Sequence, residues 1–189
     1  MNPVRKIIIF MLLTALSFVH LSAYSYASAG KEPTLDAQDT ILKALNKNNF
    51  KEAKIAFTKY AAHYKYLNDD FNNHFYKGLE TAILDGNKEQ TLKLLKVSIA
   101  IEVQRRLDGG LKNIHTFNVA KVMLAKANKF YKILSPNLDK ENNKLLINAI
   151  KACMVAIGNP GLFGVGAKEA DLLMYKKNHA IAIKVLNSL

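Results

Sequence analysis

From Thr34 onward, apolar residues recur at spacings of three and four, the period of a helix packed along one face. Thr34 is placed to cap a first helix through Leu35, Ile41, Leu42 and Leu45. Asn49, with Glu52 three residues on, resembles a capping box and opens a second helix through Phe50, Ala53, Phe57, Tyr60, Ala61 and Tyr64. Asn68-Asp69-Asp70 reads as a break before a third helix, which carries Phe71, Phe75, Leu79, Ala82 and Ile83. After the turn Asp85-Gly86-Asn87, a fourth runs through Leu92, Leu95, Ile99 and Val103 until Asp108-Gly109-Gly110 stops it. Thr116 caps a fifth, ended by Ser135-Pro136; a sixth spans about Asp139 to Gly158; the last begins near Lys168.

No alternating apolar run argues for strands. The pattern predicts an all-α helical bundle of about six to seven antiparallel helices. A short αα-hairpin repeat array is the alternative, because the segment 44–53 echoes 82–91 at an offset of 38.

The N-terminal pattern is different. Arg5 and Lys6 precede an apolar run from Ile7 to Val19, followed by small residues ending Ala27-Ser28-Ala29-Gly30. That is the layout of a secretory signal peptide. An apolar run of about 13 residues falls short of the roughly 20 that a spanning helix needs. Residues 1–29 are therefore expected to be cleaved after Ala29, leaving 30–189 as a single all-α domain in the periplasm or secreted. No cysteine near that site would carry a lipid, so no membrane anchor is expected after cleavage.

Composition refines this outline. A net charge of +12, or +10 once Arg5 and Lys6 are removed, favours anionic partners. An envelope protein, an anionic ligand or an anionic surface fits; nucleic acid fits the charge too, but an exported chain rarely meets it. Trp is absent from a chain with nine Phe and eight Tyr, so Phe and Tyr supply the aromatic core. Cys153 is the one cysteine and lies in the apolar run 147–157. It reads as a small buried hydrophobe, with a disulfide between chains as the alternative.

The densest turn chemistry is Gly158-Asn159-Pro160-Gly161-Leu162-Phe163-Gly164-Val165-Gly166-Ala167-Lys168. Exposed amides at a helix start can hold an anion. Yet Ala167 stands where a phosphate-binding loop needs lysine, and Glu169 where a dinucleotide fingerprint needs glycine. The expected role is a shaped connection that tucks Leu162 and Phe163 into the core. The alternative is a ligand-lining loop of Gly161, Phe163, Gly164, Gly166 and Lys168.

Among the histidines, His63 and His74 fall on adjacent predicted helices. With Glu80 and Glu102 they form an alternative metal or haem set, the way bundle cores build such sites. No His-Glu-x-x-His or paired Glu-x-x-His spacing supports it, and no cofactor is otherwise expected. Glu102 with Arg105 and Arg106 has helical ion-pair spacing and reads as a solvated surface pair. The segment 57–66 interleaves Tyr and Lys, and half-buried packing is expected of it rather than a ligand surface. Gly-x-Ser-x-Gly is absent, and nothing else arranges a nucleophile. These readings converge on a non-enzymatic, exported helical binding protein of the bacterial cell envelope with a basic surface. The alternatives are a periplasmic metal- or haem-handling protein of an uptake system, and a peripheral protein docked on anionic membrane.

Overall fold

Local side-chain caps set half of the helix starts. The side chains of Asn49, Asn87 and Asp139 accept hydrogen bonds from the backbone N–H groups of Glu52, Gln90 and Asn142 at 3.0, 3.0 and 2.8 Å. Each satisfies an amide that the first helical turn would leave unpaired. The computed structural model describes residues 32–71 and 74–189, so the expected signal peptide and its cleavage point lie outside the described residues.

Eight α-helices follow in order: α1 (Pro33–Asn46), α2 (Phe50–Lys59), α3 (Ala61–Phe71), α4 (Phe75–Leu84), α5 (Lys88–Lys112), α6 (Phe117–Leu134), α7 (Lys140–Ala156) and α8 (Leu172–Leu186). A 3₁₀ turn, Ser135–Asn137, follows α6. No strand is present among the described residues, and the helices pack on one another as a bundle.

Helix α5 is the spine. Six consecutive residues, Ser98 to Val103, are buried, so this stretch is covered on every side. One side adds Leu95 and Ile101 to a core shared with α1–α4, around Ile41, Leu45, Phe57, Tyr64 and Leu79. The other adds Ile99, Val103 and Leu107 to a core shared with α6–α8, around Leu124, Phe130, Ile150 and Tyr175. α5 thus holds two hydrophobic clusters apart and together.

Several boundaries differ from the sequence pattern, for tertiary reasons. The expected second helix is divided at Tyr60, which C-caps α2. α3 then runs straight through Asn68-Asp69-Asp70, because buried Tyr64 and Leu67 carry its apolar face while the acidic residues point to solvent. α5 does not stop at Asp108-Gly109-Gly110. A Cβ on Gly110 would lie 2.3 Å from the Tyr175 hydroxyl oxygen, so glycine serves here as a packing notch inside a helix. Thr116 begins α6 without a side-chain capping bond. α8 starts at Leu172, capped by Asp171, rather than near Lys168. Thr34 is no cap either. Glu32 holds that position, and Thr34 lies buried in the first turn. Among the described residues, no helix is long and apolar enough to cross a membrane.

Candidate functional site

The connection from α7 to α8 is a projecting hairpin. Asn159 and Lys168 exchange backbone hydrogen bonds at 2.9 and 2.8 Å; Leu162 and Val165 do so at 3.1 and 3.0 Å. Both pairs belong to one antiparallel register. The two residues between the inner pair, Phe163 and Gly164, have φ of 51° and 84°. Positive φ at both central positions makes this the tight hairpin turn that matches strand twist, for which Asn-Gly is the favoured pair.

Glycine is required lower down. A Cβ on Gly161 would meet the Val165 carbonyl oxygen at 2.4 Å, and one on Gly158 would meet that of Lys168 at 2.3 Å. Asn159 Oδ1 also accepts from the Gly161 N–H at 3.1 Å, and the Asp171 N–H ties the returning chain to the Ala156 carbonyl at 2.8 Å. The finger is hydrogen-bonded at both ends.

Its tip overturns the expectation that Leu162 and Phe163 enter the core. Leu162 is 75% exposed, Phe163 99% and Val165 79%. Phe163 is central in the turn and Leu162 flanks it at the end of a projecting hairpin, so neither reaches the core. Burying one such side chain is worth roughly 1.5–3 kcal/mol, which this chain forgoes three times in four residues. Phe163 also sits in the left-handed region, which costs a non-glycine residue on the order of 1–2 kcal/mol.

The alternative loop residues Gly161, Phe163, Gly164, Gly166 and Lys168 thus stand together on an exposed finger. They form no anion cradle at a helix start. Lys168 pairs with Asn159 four residues before α8, and the Asp171 carboxylate already occupies the Met174 N–H at 2.8 Å. At the finger's base lies a groove of about 470 Å³ bordered by Phe117, Lys121, Leu124, Met154, Ile157 and Asn159.

A second concentration of polar chemistry lies between the two cores. Glu102 is fully buried, contrary to its reading as a solvated partner of Arg105. Its Oε1 accepts the Thr34 hydroxyl at 2.6 Å, while Oε2 accepts Arg105 Nε and Nη2 at 2.9 and 2.7 Å. The Thr34 oxygen stands 2.7 Å from His63 Nε2, which is itself 3.3 Å from Glu102 Oε1. Because the Thr34 proton is committed to Glu102, His63 Nε2 carries the proton that bridges to Thr34.

Arg106 Nη2 donates to Glu32 Oε2 at 2.8 Å, and Lys126 Nζ approaches Glu32 Oε1 at 3.1 Å. Burial alone would push the Glu102 carboxyl up. The His63 hydrogen bond, the Arg105 charge, the Thr34 hydroxyl and the Arg106 charge overcome it and hold the group down at about 2. Burial likewise lowers Arg106, helped by the neighbouring Arg105.

Thr34, Glu32 and Lys126 were not legible as members of this network. The only signal was the Glu102-x-x-Arg105-Arg106 spacing, which reads the same on a surface. With both carboxylate oxygens filled and no exposed surface, Glu102 is a strut that ties α1, α3 and α5.

Of the alternative metal set, the structure brings together His63 and Glu102 alone. His74 is exposed at the start of α4 and Glu80 half-buried on it. Among the described residues, no three His, Cys, Asp or Glu side chains converge as metal ligands would. A second histidine contact pairs His179 Nε2 with Asp108, beside Tyr175. Cys153 is buried, its thiol pushed up by burial to about 12. Within the 57–66 segment Tyr64 is buried against Phe57 and Phe75, while Lys59, Lys65 and Tyr66 are exposed. Comparison of the chain with protein-family models, with curated proteins and with solved structures finds no match.

Proposed function

We propose that this chain is an exported, non-enzymatic binding domain of the bacterial cell envelope, and that its docking element is the 158–168 finger on a basic helical frame. One observation carries the reading. Leu162, Phe163 and Val165 are displayed to solvent by a turn that is hydrogen-bonded on both sides, with Phe163 in a backbone conformation that Asn or Gly would adopt at lower cost.

Monomeric soluble proteins scatter single apolar residues over their surfaces, and a projecting cluster of this kind marks an interaction site. Strain and exposure on the same residue persist where the exposed group has a use. The charge of +10 expected after cleavage, with no acidic residue lost, directs that use toward anionic surroundings. The buried Thr34–Glu102–Arg105 network supports the frame and offers no open site of its own.

The test is a photo-reactive phenylalanine analogue placed at position 163 and, as a control, at Ile55, which is also exposed, on α2. After irradiation in intact envelopes, adducts at 163 well above those at 55 are expected. Equal labelling at both positions would contradict the reading.

A further inference from the structure

The finger is convex and carries one aromatic between two aliphatic residues, so its occupant must accept an apolar point rather than fill a groove. The cations around it are informative. The chain has three arginines, Arg5, Arg105 and Arg106, and the latter two are spent on Glu102 and Glu32. Arg5 lies within the predicted signal peptide. The exposed positive charge of the domain is therefore lysine.

Near the finger, Lys151 is exposed four residues before exposed Val155 on α7, Lys168 closes the hairpin, and Lys176 and Lys177 follow exposed Leu173 by three and four residues on α8. α7 and α8 pack against each other, and the hairpin joins the end of one to the start of the other. Lys151, Lys176 and Lys177 accordingly lie within about two helical turns of its base on the two helices it joins. Glu169 and Asp171 are the acidic residues of the connection, and Asp171 is occupied as the α8 cap.

Protein partners are typically engaged through aromatic anchors with Arg, Tyr or Trp in desolvated pockets. Lysine is a flexible, strongly hydrated point charge that pairs with phosphate without a fixed geometry. An apolar tip with exposed lysines on the helix ends behind it matches a fluid layer with anionic headgroups outside and acyl chains beneath. The tip also suits the boundary, because Leu162 and Val165 satisfy each other's backbone groups.

We infer that the Leu162–Val165 tip inserts into the headgroup–acyl boundary of an anionic lipid bilayer, with the neighbouring lysines against the phosphates. This rests on the docking role proposed above and names the surface that the finger meets. Attachment is peripheral and combines an apolar with an electrostatic part.

The chain lacks tryptophan, so Phe163→Trp in the chain from Gly30 onward provides a single tryptophan at the tip, which can be excited apart from the tyrosines. With vesicles of equimolar phosphatidylglycerol and phosphatidylcholine, its emission should shift to the blue and be quenched by brominated acyl chains. Vesicles of phosphatidylcholine alone should give little shift, and high salt should weaken binding without abolishing it. Binding to the anionic vesicles with emission unchanged would overturn insertion, leaving only lysine contacts. A blue shift without vesicles that grows with protein concentration would overturn it in favour of a second copy. Position-163 crosslinks to an envelope protein, combined with no vesicle response, would overturn the lipid assignment while leaving the docking role standing.

Discussion

Thr34 donates its hydroxyl proton to Glu102 across 2.6 Å although the two stand 68 positions apart, joining the first turn of α1 to the middle of α5. With Arg105 and His63 it satisfies a carboxylate that has no exposed surface. Removing one member of a buried charged cluster leaves the others unpaired, which costs about 3–5 kcal/mol, whereas losing a neutral donor costs about 1–3 kcal/mol. Glu102→Ala is expected at the upper range and Thr34→Val at the lower. Urea unfolding of the two variants at neutral pH checks both the size and the order.

The same carboxylate sets an acid dependence. Its folded value, held at about 2, lies below the 4.5 of the free group, so the unfolded chain takes up the proton first as pH falls. The stabilisation is complete above about pH 4.5 and is lost as pH drops toward about 2. Its size is on the order of 3 kcal/mol. Stability measured across this window should fall more steeply in the native protein than in Glu102→Gln, which has no proton to take up there. Parallel curves would show that Glu102 is not the group responsible.

Gly109 and Gly110 make opposite predictions although they are neighbours in α5. A Cβ at 110 would meet Tyr175 at 2.3 Å and disturb its 2.8 Å bond to the Leu107 carbonyl. Gly110→Ala should destabilise by about 1–3 kcal/mol, the range for overpacking. At Gly109 the nearest atoms are Met123 Sδ and Cγ at 3.2 and 3.3 Å, on a flexible side chain that can give by the few tenths of an ångström required. There the roughly 1 kcal/mol helix preference of alanine should dominate, making Gly109→Ala neutral to stabilising. Thermal unfolding of the pair reads the difference directly.

Cys153 is buried among the α6–α8 core residues, and its thiol is held protonated to about 12 by burial. Because the thiolate is the nucleophile, a disulfide-exchange reagent at mildly alkaline pH should leave the folded protein unmodified and react fully once it unfolds in urea. Rapid reaction of the folded protein would contradict the packing around α7 and α8.

What the sequence pattern revealed, and what it did not, follows from the range of each interaction. The caps at Asn49, Asn87 and Asp139 act over three residues, so they are visible in the chain itself, as is the three-and-four spacing that predicts an all-α bundle. The Gly109-Gly110 pair is indistinguishable from a helix stop until Tyr175, 65 residues beyond Gly110, is seen to need the space. Glu102 resembles any surface ion-pair residue because its burial is created by α1 and α3, not by its neighbours. Leu162 and Phe163 read as core residues because apolar character does not tell which way a tight turn points them. The positive φ at Phe163 is a property of the hairpin register, and spacing alone does not announce it.

The measurement that tests the docking role most directly is made on Phe163→Asn. Asparagine suits the left-handed position, so the variant should unfold at the same temperature as the native protein or higher. Its recovery on isolated cell envelopes should nevertheless fall by tenfold or more. Unchanged recovery with unchanged stability would contradict the account, for Phe163 would then be an exposed aromatic without a role in binding.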